Sequence, residues 1–238
     1  MLMGLAKNMA LKEDLEIEVN SIFQTSWNET IGKVIPIPSD IGLGNNAKLL
    51  EDAVVLYADL DGSTNMVDQK KWQFSAEIYK TFLHCAAKLV KEEDGTITAY
   101  DGDRIMAIYI GENKYDRAIR TGLKLKWTVT NIIQPAMKKR WNTDFLIAHT
   151  VGIDVSNLRA VRTGVRGDND LVWVGRAANY AAKLTTLPST FQTRITKDVY
   201  DELSIYSKTH DGKSMWEKVT WTAMSNITIY RSMWGWVV

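Results

Sequence analysis

Apolar and polar positions alternate along the chain in patterns typical of helices and strands. Residues 8–24 predict an amphipathic helix, because their apolar residues come close to a helical stripe: Leu11, Leu15, Ile17, Val19, Ile22 and Phe23. Residues 31–46 hold two of the four prolines and a Gly-Leu-Gly-Asn-Asn run, which is typical of an irregular arm. We therefore expect an N-terminal helix and arm over residues 1–50 and one domain over residues 51–238.

After residue 51 the pattern predicts the order β-α-β-β-α-β-β-β-α, followed by a short helix and Trp-rich strands. The predicted strands are 53–59, 96–100, 104–110, 148–154, 159–165 and 171–174, and the predicted helices are 72–92, 115–141, 176–186 and 197–203. Pro135 is expected to bend or end the second helix. This order indicates an α+β fold built on a mostly antiparallel sheet flanked by helices.

Composition excludes several classes of function. With 29 Lys+Arg against 28 Asp+Glu, the net charge of +1 is too small for bulk electrostatic binding to nucleic acid or an anionic membrane. No run approaches the ~18 apolar residues of a membrane span, and the single cysteine excludes an internal disulfide. We therefore expect a cytoplasmic protein with neither nucleic acid nor membrane as a partner. The scattered histidines do not have zinc spacing, so any metal must have oxygen ligands.

Two acidic residues stand out by their positions. Asp59 ends a hydrophobic strand, and Asp103 lies in an Asp-Gly-Asp turn that predicts a hairpin. If the strands are neighbours, these carboxylates meet at one sheet edge, where with no compensating lysine they would repel each other. A hard divalent cation, Mg²⁺ or Mn²⁺, would remove that cost. The alternative is a helix cap at Asp59 and an ordinary turn residue at Asp103.

Two more patterns accompany the carboxylates. A turn at a predicted helix start follows Asp59 and consists of Leu60, Asp61, Gly62, Ser63 and Thr64. Ser63 and Thr64 are suited to cap the helix, and the successive backbone N–H groups of the turn can bind phosphate. On the later helix, Asn179 and Lys183 are four residues apart and share one face. An amide and an ammonium so placed can hold a sugar and a phosphate, although exposed Asn and Lys usually only face water.

In combination these segments resemble the class III nucleotide cyclases in order and spacing. The segment from Asp59 to Thr64 resembles the family's D-hydrophobic-x-G-F-T motif, with Ser63 at the aromatic position. Gly102-Asp103 resembles its G-D hairpin, and Gly175-x-x-x-Asn179-x-x-x-Lys183 its G-x-x-x-N-x-x-x-R helix, with lysine where arginine is usual. The resemblance covers about residues 50–205 and includes the Val151-Gly-Ile-Asp segment.

The resemblance implies a ferredoxin-like catalytic domain that works as a head-to-tail homodimer with two composite sites. It implies that Asp59 and Asp103 hold two metal ions per site, Mg²⁺ or Mn²⁺, and that a ribose 3′-hydroxyl attacks the α-phosphorus while pyrophosphate leaves. Asn179 of the partner chain would orient the ribose, and Lys183 would stabilise charge on the α-phosphate without arginine's two-pronged geometry. Arg166 is a candidate for the β- and γ-phosphates.

The resemblance also bears on the base. In adenylate cyclases of the family a lysine and an aspartate form hydrogen bonds with adenine. The matching positions here are Ala99 and Val172. The glutamate and small polar residue that guanylate cyclases have at these positions are missing too. Neither the Ala99 nor the Val172 side chain forms hydrogen bonds, so purine recognition of the usual kind is not expected. Tyr100 and Trp173 predict a narrower pocket with an aromatic wall that suits a pyrimidine, unless strand alternation points them into the core.

The chain is thereby most similar to the bacterial Pycsar pyrimidine cyclases, which make a cyclic pyrimidine nucleotide that activates a separate effector in anti-phage defence. We expect a uridylate cyclase, with UTP favoured over CTP. Cytidylate cyclase stays open as an alternative, as does a non-catalytic nucleotide-sensing module. A diguanylate cyclase or polymerase palm would also use strand-end carboxylates, but the Asn179/Lys183 helix and the lack of a Gly-Gly-acidic hairpin disfavour it.

Overall fold

The computed structural model describes the backbone of residues 2–238 and the side chains from Ala10 onward. Met1, the first residue of the predicted N-terminal arm, lies outside the described residues. Contacts divide the chain into two compact units. The smaller consists of the residues up to Leu50 together with Arg159–Val174, and the larger consists of Glu51–Leu158 together with Gly175–Val238.

The helices and strands lie close to the predicted ones. The helices are α1 (Leu2–Gln24), α2 (Ser63–Gln69), α3 (Trp72–Glu92), α4 (Lys114–Thr128), α5 (Gln134–Trp141), α6 (Arg176–Thr185), α7 (Lys197–Glu202) and α8 (Ile205–Lys208). The strands are β1 (Asn28–Ile31), β2 (Asn46–Asp61), β3 (Thr96–Asp101), β4 (Arg104–Tyr109), β5 (Ala148–Val165), β6 (Asp168–Val174), β7 (Thr193–Thr196), β8 (Thr209–His210), β9 (Lys213–Ser214), β10 (Glu217–Trp221) and β11 (Ile227–Ser232).

The larger unit is built on one sheet with the strand order β10-β11-β7-β5-β2-β4-β3. Its β10–β11, β11–β7, β2–β4 and β3–β4 pairs are antiparallel, and β5–β7 is parallel. Phe82 of α3 and Ile119 and Leu123 of α4 are fully buried in the same core as Ile105 of β4. The α+β fold with a mostly antiparallel sheet flanked by helices is therefore confirmed.

The smaller unit combines α1 with short pieces of strand. β1 pairs in parallel with the first residues of β2, and the end of β5 forms an antiparallel hairpin with β6. The Asn45 amide donates hydrogen bonds to the carbonyl oxygens of Ile22 and Thr25, at 2.8 and 2.6 Å. Glu29 pairs with Arg159. These contacts hold the arm against the helix and the hairpin.

Two strand predictions were wrong. Residues 148–154 and 159–165 belong to the single strand β5, and the strand predicted to begin at Ala53 begins at Asn46. The predicted strands left residues 155–158 as a connection, but the chain beyond it continues as a strand because each residue pairs with β6, from Arg159↔Val174 to Val165↔Asp168. A ladder of this kind satisfies the backbone groups that a turn would otherwise leave free.

Pro135 interrupts the second long helix as predicted, by means of a π-helical turn. The turn covers Val129–Ile133, between α4 and α5. Proline has no N–H to donate to the preceding turn, and a wider turn accommodates this loss. Ile133 joins Ile78, Met137 and Cys85 among the walls of an apolar cavity of about 350 Å³.

Close packing of α6 on β5 depends on Gly152. A Cβ atom there would lie 2.1 Å from the carbonyl oxygen of Ala181 and 2.7 Å from Leu184 Cβ. We expect Gly152→Ala to lower the free energy of unfolding by roughly 3 kcal/mol or more, because backbone must shift to admit the methyl group. Urea unfolding measures this, and a loss below about 1 kcal/mol would show that the helix moves freely.

Among the residues that the structure describes, no helix combines the length and the apolar character that a bilayer span requires.

Candidate active site

Asp59 and Asp103 lie at one edge of the central sheet. β2 and β4 are antiparallel with Ala58 opposite Ile105, so Asp59 lies beside the start of β4. A two-residue turn joins Asp101 of β3 to Arg104 of β4, and Gly102 takes a positive φ of 60° in it. Such a turn favours glycine because a side chain would strain that backbone. The hairpin thus brings Asp103 next to the end of β2, as the sequence predicted.

The surroundings of the two carboxylates are electrostatically unbalanced. Burial raises the pKa of the half-buried Asp59 carboxyl; Arg104 lowers it, Asp103 raises it further, and the net direction is upward. Oδ2 of Asp103 is buried and has no hydrogen-bond partner. A buried carboxylate oxygen without a partner is costly, so this edge of the sheet favours an added cation.

Arg104 is the functional candidate that sequence reasoning missed. Its Nε lies 3.5 Å from Asp59 Oδ2, and its guanidinium lies 6.0 Å from the centre of the Tyr57 ring. The sequence analysis considered only a compensating lysine and overlooked this arginine, which partly balances the charge of Asp59. The sequence carried only part of the signal: the hairpin makes Arg104 the first residue of β4, but its position beside Asp59 depends on the pairing of β2 with β4.

Among the described residues, few side chains are placed to bind a metal ion together. Nowhere among them do three or more His, Cys, Asp or Glu side chains gather in a group able to hold an ion. Two carboxylates with open positions nevertheless fit Mg²⁺, which usually keeps several waters and binds through one or two carboxylates plus substrate phosphates. The unpartnered oxygen of Asp103 is the observation that favours this fit.

Arg104 should compete with a metal ion for Asp59. We expect Arg104→Met to tighten Mn²⁺ binding roughly tenfold, because removing a cation 3.5 Å from the carboxylate removes a Coulombic penalty of about 1.4 kcal/mol or more on the incoming ion. Electron paramagnetic resonance titration of free Mn²⁺ measures the affinity without any turnover. Arg104→Lys, which keeps the charge, is the matched control; equal affinities in all three proteins would contradict the competition.

The turn after Asp59 differs in detail from its prediction. Gly62 precedes α2 with a positive φ of 74°, so the tight turn is confirmed, but Ser63 and Thr64 are the first helical residues and no side chain caps the helix. Leu60 is buried, whereas Asp61 and Thr64 are exposed. The predicted capping role of the two hydroxyl residues is therefore wrong, because the cap position belongs to the glycine.

Asn179 and Lys183 share the exposed face of α6, as their spacing predicted. The opposite face buries Ala177, Ala181 and Leu184. The ammonium of Lys183 donates a long hydrogen bond to the sulfur of Met224, at 3.7 Å. Within the described part of the chain, no hydrogen bond or ion pair joins either residue to Asp59 or Asp103. The two groups of candidate residues are therefore not brought together by contacts within one chain.

The predicted base-pocket positions are largely exposed. On β3, Ala99 and Tyr100 both face solvent, so Tyr100 does not point into the core. In the smaller unit, Val172 is exposed and Trp173 is partly buried on β6. Arg166 lies in the β5–β6 turn and lines a groove with residues of α1 and Trp27.

Comparison with solved structures gives the class of this fold. The chain aligns with the guanylyl cyclase Cya2 with a TM-score of 0.65 and 14% identity, covering 76% of this chain and 91% of that one. It aligns with the adenylyl cyclase CyaB from P. aeruginosa with a TM-score of 0.61 and 15% identity, covering 78% and 95%. The chain therefore has the class III cyclase fold.

Comparison with curated proteins identifies the family within this class. The chain is 53% identical to a uridylate cyclase from Burkholderia cepacia over 97% of this chain and 100% of the relative. It is 52% identical to one from Xanthomonas perforans (96% and 99%) and 37% identical to one from Rhodovulum sp. strain MB263 (94% and 96%). No protein-family profile matches the chain. At this identity and coverage the chain belongs to the uridylate cyclase family of class III nucleotidyl cyclases.

Proposed function

We propose that this chain converts UTP to 3′,5′-cyclic UMP and pyrophosphate. The observation that carries the proposal is the 53% identity, over the full length of the relative, to a protein named uridylate cyclase. The geometry supports it: a buried carboxylate oxygen without a partner lies at a sheet edge beside a second carboxylate. That arrangement suits phosphoryl chemistry assisted by divalent metal.

Asp59 and Asp103 would hold two divalent ions, Mg²⁺ or Mn²⁺. When bound, such ions lower the pKa of the ribose 3′-hydroxyl and neutralise charge on the triphosphate. The two side chains supply anionic oxygens, the ligand type that these hard cations prefer. Arg104 must yield its place beside Asp59 as the site fills, since a guanidinium and a metal ion repel each other.

The other residues have binding and orienting roles in the proposal. The 3′-oxygen bonds to the α-phosphorus, its proton passes to water, and the bond to pyrophosphate breaks. Backbone N–H groups from Leu60 to Thr64 bind phosphate oxygens, Asn179 orients the ribose, and Lys183 stabilises negative charge that grows on the α-phosphate. Arg166 is proposed to bind the β- and γ-phosphates.

We propose further that the site is shared between two copies of the chain. Asp59 and Asp103 come from one copy, and Asn179 and Lys183 come from the other. The exposed face of α6, without bonds to the carboxylates in the described residues, supports this division. A homodimer with twofold symmetry then contains two such sites.

The proposed preference for a pyrimidine base rests on the lack of hydrogen-bonding side chains at the two positions that recognise the base in related cyclases. Ala99 and Val172 present no side-chain donor or acceptor, so a purine would leave its polar edge unpaired. The exposed ring of Tyr100 supplies an aromatic wall for the smaller pyrimidine. Uracil rather than cytosine follows from the names of the relatives.

For biological context, we propose that cyclic UMP from this chain acts in the bacterial cytoplasm as a signal in anti-phage defence. The signal would activate a separate effector that binds the cyclic nucleotide. This proposal rests on the resemblance to the Pycsar cyclases. It is tested by asking whether phage infection of cells that carry the gene raises cyclic UMP.

Incubation with each nucleoside triphosphate tests the catalytic proposal. Purified protein is given ATP, GTP, CTP or UTP with Mn²⁺, and products are identified by mass spectrometry. We expect cyclic UMP from UTP and at most a few per cent as much product from the others. Cyclic CMP as the main product would indicate a cytidylate cyclase, and UTP binding without pyrophosphate release would indicate a sensing module.

A further inference from the structure

An ion pair between an exposed arginine and a buried aspartate ties the first turn of α6 to β5. The carboxylate of Asp154 on β5 is 0% exposed. Nε of Arg176, the first residue of α6, lies 3.1 Å from its Oδ2, and a guanidinium nitrogen lies 3.2 Å from its Oδ1. The same nitrogen donates to the carbonyl oxygen of Val155 at 2.9 Å and to Asp198 on α7. One side chain therefore joins the helix to two neighbouring elements.

Neighbouring contacts complete this junction. The Thr196 hydroxyl donates to Asp154 Oδ1, so both carboxylate oxygens are hydrogen-bonded. The Ala177 N–H donates to Ser156 Oγ at 2.9 Å. At Gly175 a Cβ would lie 2.5 Å from a backbone carbonyl oxygen of β5. Arg176 and Ala177 are thus hydrogen-bonded to β5, and Gly175 lies close against it.

The ion pair between Arg176 and Asp154 contributes more to the orientation of the two side chains than to the stability of the fold. Burial raises the pKa of the Asp154 carboxyl, which Thr196 and Arg176 lower in part, so the pair does not remove the whole cost of burial. The Arg176 side chain is 42% exposed, so solvent screens the pair and its contribution to stability is small. Its two parallel N–H···O bonds nevertheless hold the two side chains in one arrangement. These contacts restrict the rotation of the first turn of α6 about the helix axis.

The helical stripe that begins at Arg176 contains both candidate substrate-binding residues. Asn179 and Lys183 follow it at i+3 and i+7, so all three lie on one side of α6. We propose that Arg176 and Asp154 are positioning residues that set the angle at which Asn179 and Lys183 meet the ribose and the α-phosphate. This inference rests on the proposed cyclase function and adds residues that touch no substrate themselves.

Steady-state kinetics provide the first test. We expect Arg176→Met to lower kcat for UTP by about 10²-fold with KM changed less than about threefold, because misplacing a catalytic group by ~1 Å costs that much. Arg176→Lys, which keeps the charge, should recover part of the loss, and Asp154→Asn should resemble Arg176→Met. Lys197→Met, which breaks an exposed pair with Asp201 on α7, is the control and should keep wild-type kcat.

Mixing variants distinguishes a local effect on α6 from a general structural defect, which would not be rescued in a mixture. Arg176→Met mixed with Asp59→Ala should regain activity, since the heterodimer combines intact carboxylates from one chain with an intact α6 from the other. Arg176→Met mixed with Lys183→Ala should not, because both lesions affect the α6 half of the site. Rescue in both mixtures, or in neither, would overturn the assignment to α6.

Hydrogen exchange separates failure of this inference from failure of the proposed function. In Arg176→Met, amides of α6 should exchange at least about tenfold faster while those of α3 keep their rates. This measurement needs neither UTP nor turnover. Unchanged exchange in α6 would overturn the positioning role even in an active enzyme. A wild-type chain that makes no cyclic nucleotide would overturn the proposed function, and faster exchange in Arg176→Met would then show only that Arg176 holds α6 on β5.

Discussion

Replacing Asp103 by asparagine is expected to reduce kcat for cyclic UMP formation by about 10³-fold or more, with the fold preserved. The asparagine keeps the size of the side chain but removes the negative charge. If metal coordination supplies several kcal/mol of transition-state stabilisation, loss of that charge costs several powers of ten in rate. Quantitative mass spectrometry of the product at saturating UTP and Mn²⁺ measures the effect.

Asp101→Asn is the matched control because it changes the same hairpin. Asp101 is exposed and, like Asp103, acts on Asp59 through its charge. We expect this variant to lose less than about fivefold in kcat, since an exposed charge acts through solvent. If Asp103→Asn keeps a tenth of the activity, or if both variants lose equally, Asp103 does not hold a metal ion.

Mixing Asp59→Ala and Lys183→Ala chains is expected to restore about a quarter of wild-type activity, although each variant alone is almost inactive. Random pairing makes half of the dimers heterodimers, and each of these has one intact site out of two. Activity per total chain after mixing, unfolding and refolding measures the recovery. Native mass spectrometry confirms that heterodimers have formed.

The outcome of this mixture discriminates between two architectures. A site contained within one chain predicts no recovery at any mixing ratio. A shared site predicts recovery that follows the product of the two chain fractions and is greatest at equal amounts. Heterodimers without activity would therefore contradict the proposed homodimeric site, even if both single variants behave as expected.

Much of the fold was predictable because local pattern and tertiary structure agree. α3 begins and ends at the predicted residues, Trp72 and Glu92, and the Asp-Gly turn of the hairpin was found from two residues. The helix and the turn were predictable because helix periodicity and turn chemistry depend on residues that are close together in the sequence. The order of the motifs then placed Asp59 beside Asp103, and the structure agrees.

The features that escaped prediction depend on residues far apart in the sequence. Ser156-Asn157 has the composition of a turn, yet pairing of the following residues with β6 continues the strand. Arg104 became visible as a neighbour of Asp59 only through the register of β2 and β4. The contacts of Arg176 with Asp154 and Asp198 likewise join three elements, and no local pattern signals them.

The cavity beside the π-helical turn has a consequence for the chain's redox chemistry. Cys85, the only cysteine, lines that apolar cavity, and burial raises the pKa of its thiol. At neutral pH the thiol is therefore almost entirely protonated, and the thiolate is the form that attacks disulfides or reacts with peroxide. During an oxidative burst Cys85 would therefore stay reduced for longer than an activated cysteine.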